Sequence, residues 1–383
     1  MRFFLIFSGL VLIITGCGGG GAGPVQQTIP VNSAPELPGI TDYAVDENVL
    51  SVANFEATDR DGDTVTYSIS GDDASYLSID ASTGDLAFLT APDFENPSDS
   101  NRDNTYNLSV IASDGQASSS LDITVSINDL AGQHMVLIGN SFFKPYAERI
   151  GIYADNSGFT DHSDIGVFAG GDNGNPISLW NDTGEKNLQI KQALDEGGVD
   201  VFGMTAQDIT RNPNPIDGYR EWIAYALENN PDVDILISVP PIDFPTNWEA
   251  RAQEAGAADI HELHAYFVNE MINKTLIDQL RIEFPSTSIF SIPTGRAAKE
   301  LWQMHNDDLL LDELAMSGPY NESLFTDLKG HQGRVIVVAG TLMWLNGLYD
   351  VDLATDDFDT GFQTDLHALA QQIMFEHDPN YRR

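Results

Sequence analysis

The chain has 383 residues, 58 acidic and 18 basic, for a formal charge of −40. So negative a surface repels phosphate backbones and anionic membrane faces, which argues against nucleic acid and a bare membrane surface as partners. A hydrophobic fraction of 42% supports packed cores and excludes a disordered chain.

The N-terminus reads as a targeting segment. Arg2 precedes Phe3-Phe4-Leu5-Ile6-Phe7 and Leu10-Val11-Leu12-Ile13-Ile14, and the small residues Thr15-Gly16 lead into Cys17. The apolar run is too short for a bilayer of about 30 Å, which takes roughly 20 residues to cross. The pattern resembles a bacterial lipoprotein signal, residues 1–17, which implies lipidation at Cys17 and anchoring in the cell envelope. The single cysteine of the chain fits that use, because a lipidated thiol needs no disulfide partner. The alternative is an ordinary secretory signal with an incidental cysteine; either way the mature chain is exported. Gly18 stands where an aspartate often retains such lipoproteins at the inner membrane, so the expected location is the outer membrane. Residues 18–32, with Gly18-Gly19-Gly20-Gly21, Pro24 and Pro30, read as a flexible linker.

Residues 33–130 carry short alternating strands. They include Thr64–Ile69, Tyr76–Ile79, Leu86–Leu89, Tyr106–Ala112 and Leu121–Ile127, with turns rich in Asp, Gly and Ser. This spacing predicts an all-β sandwich. Acidic residues mark the strand ends: Glu47, Asp59 and Asp61, Asp93 and Glu95, Asp114, and Asp129. Alternate acidic residues on an extended segment face one side, and calcium takes six to eight hard oxygens from such groups.

The combination of Glu47, Asp59-Arg60-Asp61, Thr83-Gly84, Asp93-Phe94-Glu95, Asp114-Gly115 and Ile127-Asn128-Asp129 resembles a cadherin repeat. The resemblance implies structural calcium held by Glu47, Asp59, Asp61, Asp93, Glu95, Asp114 and Asp129. Solvated turn carboxylates without an ion are the alternative. With one repeat and a different domain after it, neither end is guaranteed a full ligand set.

From residue 131 to 383 the texture changes. Short apolar runs (Met135–Ile138, Val199–Met204, Val233–Val239, Ser288–Ile292) alternate with helical stretches at 143–153, 218–228, 249–283, 295–304, 335–348 and 365–375. Strand–helix alternation predicts a three-layer α/β domain with a parallel sheet. The first run ends in Gly139-Asn140-Ser141, which would put a serine at the carboxyl edge of the sheet, where ligands bind in such folds. Serine needs a base and an orienting group to become a nucleophile. Asp327 and His331, just ahead of an apolar helix, supply both types, although helix capping is the bland reading of the same pair.

Together these residues resemble the SGNH (GDSL-like) hydrolases over about residues 133–350. The resemblance implies Ser141 as nucleophile, His331 as general base and Asp327 as its orienting acid, with no cofactor for catalysis. It implies an oxyanion hole from the Ser141 N–H, Gly170 or Gly171, and a third donor after the third strand. The family's Gly-x-Asn-Asp is missing there, and Gln207 stands in the corresponding place. The Asp–His spacing is also one residue longer than the family's usual one. The expected activity is hydrolysis of an ester, an acyl ester on carbohydrate by family analogy, with acyl transfer as a variant. The alternative is a non-catalytic, calcium-dependent glycan-binding or adhesion protein of the cell surface.

Other motifs carry less. His261-Glu262-Leu263-His264 lacks the i, i+4 histidine pair of a zinc protease and reads as helix surface. Trp180, Trp222 and Trp248 read as core before they read as a sugar platform. Residues 240–245 (Pro-Pro-Ile-Asp-Phe-Pro) read as a rigid loop at the edge that would hold the site.

Overall fold

The computed structural model describes residues 31–207 and 216–383; the signal, Cys17 and most of the linker lie outside the described residues. The chain divides into two compact units, one of residues up to 45 with 49–127, the other of 46–48 with 128–383. Among the described residues no helix is long and apolar enough to cross a membrane.

The first unit is a two-sheet β structure. Its strands are β1 (Asp42–Asp46), β2 (Ser51–Asn54), β3 (Thr66–Ser70), β4 (Leu77–Ile79), β5 (Asp85–Phe88), β6 (Thr105–Ser113) and β7 (Ser118–Asn128). A four-stranded sheet runs β1-β7-β6-β3 and a three-stranded sheet runs β2-β5-β4. Strand β6 shows how the sequence makes this: Tyr106, Leu108, Val110 and Ala112 are buried, while Asn107 between them is exposed. Tyr106, Leu108 and Val110 share a single core with Leu77, Leu86 and Phe88 of the other sheet and Phe55. Strands β1 and β2 bury little, which is why alternation did not reveal them.

The second unit is built on a five-stranded sheet of β8 (His134–Gly139), β9 (Ser163–Phe168), β10 (Val201–Thr205), β11 (Asp234–Ser238) and β12 (Ile289–Ile292). The order is β12-β11-β10-β8-β9, and every neighbouring pair is parallel. Both faces are covered. Met135 and Leu137 feed one core, Val136 and Ile138 the other, as the two-residue period of a strand requires. The helix Arg334–Tyr349 is buried along nearly its whole length against the first of these cores. Trp222 and Trp248 are core residues, their indole N–H groups donating to the carbonyls of Pro176 and Ile242, each at 2.9 Å.

Two expected helices are broken. The stretch 249–283 stops near Gly256, which has φ +77°, a left-handed value that ends helices. It restarts where the Asp259 carboxylate accepts from the Glu262 N–H at 2.9 Å, an N-cap. It then continues as a π-helical segment, Tyr266–Ile277, before Asp278–Glu283. The stretch 143–153 divides into Lys144–Ala147 and Ile150–Asn156. There the Arg149 guanidinium takes the Pro145 carbonyl at 2.9 Å, the acceptor an α-helix would give to the Arg149 N–H.

His264 is a correction to the surface reading of its motif. It is buried, and its Nε2 has no partner among the described residues. Burial first, then the nearby Lys299, pushes its imidazole down to about 3. Burial likewise pushes His377, beside Ser291 at 3.1 Å, down to about 4. The unfolded chain takes up these protons from the ordinary value of 6.5, whereas the folded state refuses them down to about 3 and 4. The unfolded state therefore binds more protons across that window, and stability falls as pH drops through it. In urea titrations between pH 7 and pH 5, the His377→Asn variant should lose less stability on acidification than the parent. Equal losses would show that His377 does not set the slope.

Candidate active site

The site is built at the carboxyl edge of the parallel sheet. Strand β8 ends at Gly139, and the chain turns through Asn140-Ser141-Phe142 before the Lys144–Ala147 helix. The Asn140 side chain holds this turn by accepting from the Phe142 N–H at 3.0 Å, and its carbonyl accepts from Phe143 and Lys144. Neighbouring Gly174 presses against the same turn. A Cβ there would stand 2.5 Å from the Gly139 carbonyl oxygen and 2.6 Å from Asn140 Cα. Sequence reading had no signal for Gly174, because its constraint comes from a contact distant in the chain.

The partner loop lies between the Ser323–Phe325 strand and the Arg334–Tyr349 helix, closed by a bridge between Phe325 and Gln332. Within it the Asp327 carboxylate accepts from the backbone N–H groups of Gly330 at 3.0 Å and His331 at 3.2 Å. The other carboxylate oxygen lies 2.6 Å from His331 Nδ1. A carboxylate only accepts, so Nδ1 carries the proton, and Nε2 faces the Ser141 Oγ at 2.8 Å as an acceptor. Between the two, Gly330 sits at φ +98°. Burial pulls the Asp327 carboxyl upward, but the bonds from His331 and the loop amides outweigh it and hold it below its ordinary value. The His331 ring stacks on Phe142 with centroids 4.9 Å apart and planes 15° off parallel. Lys329 lies over the same Phe142 ring, 5.3 Å from its centroid.

Beside Ser141 opens a cleft of about 600 Å³. Asn140, Phe142, Gly171, Gln207 and Lys329 line it, together with Pro240, Pro241, Ile242 and Asp243 from the loop expected at this edge. Gln207 is buried just beyond β10, its N–H donating to Tyr219 Oη at 3.1 Å, which in turn donates to the Thr205 carbonyl at 2.9 Å. Gly170 has φ −75° and open space where a Cβ would stand, so nothing local demands a glycine there. Gly171, at φ +55°, is the glycine that faces the cleft.

The acidic residues of the sandwich fall into different settings. Glu47, Asp93 and Glu95 each offer a carboxylate oxygen, all within 4.8 Å of one another. Asp129 lies close to the first of them: burial, then Glu47 and Asp161, raises its carboxyl above the ordinary value. Asp59 and Asp114 each spend one oxygen on their own turns, Asp59 on the N–H groups of Asp61 and Asp63, Asp114 on those of Gln116 and Ala117. Asn32 donates to the second Asp114 oxygen at 2.8 Å, and the Ser33 N–H donates to Asp61 at 2.7 Å. The second Asp59 oxygen is buried with no partner among the described residues. Asp59, Asp61 and Asp114 do not form a three-carboxylate group with one another among the described residues.

Crowding at Gly174 yields a direct expectation. The Gly174→Ala variant should be less stable by about 1–3 kcal/mol, the usual cost of forcing extra volume into a packed site. The urea midpoint measures it, and an unchanged midpoint would mean the Ser141 turn yields freely.

Residues 41–128 match the family model for the cadherin domain. Among solved structures, Drosophila N-cadherin EC1-3 is similar at 22% identity, covering 26% of this chain and 35% of that one, with a TM-score of 0.23. Human protocadherin-24 EC1-2 is similar at 20% identity, covering 28% of this chain and 56% of that one, with a TM-score of 0.23. The human desmocollin-1 ectodomain is similar at 25% identity, covering 26% of this chain and 20% of that one, with a TM-score of 0.22. The chain thus spans less than two thirds of each of these relatives. No curated protein matches it. The chain carries a cadherin domain at residues 41–128.

Proposed function

We propose that the α/β unit is a serine esterase of the SGNH type, exported and held at the bacterial outer membrane through a lipid on Cys17. The observation that carries this reading is the hydrogen-bonded series Ser141 Oγ, His331 and Asp327, with links of 2.8 and 2.6 Å. In the proposed reaction His331 Nε2 takes the Ser141 proton as Oγ attacks the ester carbonyl carbon. The imidazolium then returns that proton to the leaving alcohol as the C–O bond breaks, leaving an acyl-serine. Water, activated by the same imidazole, releases the acid and restores Ser141. Asp327, kept ionised by its hydrogen bonds, holds the ring and stabilises the imidazolium. The Ser141 N–H, a glycine at 170 or 171, and Gln207 are the proposed oxyanion donors. The proposed substrate is an acyl ester carried on carbohydrate.

Labelling of the mature protein with a fluorophosphonate, mapped to the modified peptide, tests this. Ser141 should be labelled, and Ser141→Ala should abolish labelling. Asp327→Asn should slow it by about 10⁴, as in other serine hydrolases where the amide stabilises the wrong tautomer. A folded protein that takes no label would end the esterase reading.

A second reading draws on the cadherin match and the cluster of Glu47, Asp93 and Glu95: binding or adhesion that depends on calcium. Three carboxylates within reach of one ion suit a hard divalent cation, and these are the residues that would hold it. Calcium at about 100 times its dissociation constant should then stabilise the folded sandwich by about 2.7 kcal/mol. Glu47→Gln should remove most of that gain in urea titrations. A midpoint indifferent to calcium in the parent would count against the ion.

A further inference from the structure

The cleft beside the Ser141 turn is lined by the neighbours of that serine, Asn140 and Phe142, and has a chemistry of its own. Its apolar wall comes from Phe142 beside the nucleophile, Ile242 after β11, and Leu263, Tyr266, Phe267 and Met271 from the segment after Asp259. Two charged residues of that region also line the cleft, but both are engaged within the fold. Arg251 donates to the Asp243 carbonyl at 2.7 Å, and Glu262 accepts from the Ala258 N–H at 2.5 Å. At the carboxyl ends of the strands the lining is polar and partly charged, with Asn140, Asp172, Asn175, Gln207, Asp243 and Lys329. The cleft is therefore polar where the carbonyl would react and predominantly apolar along the helical segment.

Its volume of about 600 Å³ lies in the middle of the range for pockets that hold drug-sized ligands, roughly 300–1,000 Å³. An acetyl group would leave most of it filled with water against apolar walls. Apart from the Tyr266 hydroxyl, the named side chains of this wall carry no donor, which leaves a sugar ring little to pair its hydroxyls with there.

We infer that this cleft binds the acyl chain of the ester, and that the enzyme acts on esters of medium- or long-chain acids in preference to acetyl esters. This rests on Ser141 being the nucleophile. The chain lies along Ile242, Leu263, Tyr266 and Met271, with the carbonyl at Ser141. Tyr266, 55% exposed, forms the part of this wall that meets solvent, so it can be altered without opening the core.

The test compares labelling rates of Ser141 in the mature full-length protein by methyl- and octyl-substituted fluorophosphonates. Each buried methylene is worth about fourfold in rate constant, so the octyl reagent should react at least about 100 times faster. Tyr266→Asp should cut the octyl-to-methyl ratio about tenfold by placing a charge against the chain. Equal rates, or a faster methyl reagent, overturn the acyl-chain assignment while leaving the activated serine intact. An octyl preference untouched by Tyr266→Asp shows that the chain binds elsewhere, which also overturns it. No labelling by either reagent removes the nucleophile and this inference with it.

Discussion

The hydrogen bond from Ser141 to His331 joins residues 190 positions apart, and the rest of the α/β unit is arranged to make it. Neither side chain can find the other by local structure. The serine is fixed by strand β8, which sits inside the sheet with β10 on one side and β9 on the other. The chain crosses from β8 to β9 at one edge and returns across β8 to β10, so connections leave the two sides of β8 in opposite directions. A crevice opens at such a reversal, at the carboxyl ends of the strands. The histidine reaches that crevice because the Arg334–Tyr349 helix is packed into the core behind it, which anchors the end of the loop at Gly333.

The loop between Phe325 and Gln332 turns this placement into geometry. A single carboxylate, Asp327, serves two purposes, accepting two backbone N–H groups with one oxygen and the imidazole with the other. The first pair of bonds folds the loop; the third orients the ring. Helix capping is not what Asp327 does: the N-cap of the Arg334–Tyr349 helix is Gly333, with no side-chain bond, and the Asp327 bonds lie within the loop. Gly330 shapes that loop. At φ +98°, with a would-be Cβ 2.7 Å from Pro245, it tightens the loop where another residue would strain it.

What was legible in the sequence was what is written locally. Strand β8, the Ser141 turn, the Asp327–His331 pair and the apolar helix after it all show in runs of a few residues, because burial and hydrogen bonding there involve near neighbours. The central strands of the parallel sheet also show, since burial on both faces makes them continuously apolar. Strands β1 and β2 escaped because their side chains are mostly half-exposed or exposed, so no alternation survives. Gly174 escaped because its constraint is a carbonyl 35 residues earlier, at Gly139. The burial of His264 escaped for the same reason: its helix carries charged neighbours, and only tertiary packing covers the ring.

The charge of the molecule sharpens the role of what surrounds His331. In a chain of formal charge −40, Lys329 sets a positive charge on the cleft beside Asn140 and Phe142. Phe142 meets two residues of the facing loop, the His331 ring stacked on it at 4.9 Å and the Lys329 ammonium over it at 5.3 Å. An aromatic face attracts a cation, which suits the position of Lys329 over this ring. Phe142 thus ties the Ser141 turn to both the histidine and the lysine of that loop. Asp327, 2.6 Å from Nδ1, is the ring's one ion-pair partner among the described residues, and a contact that short outlasts the solvent and salt screening that weakens the charges of the distant surface.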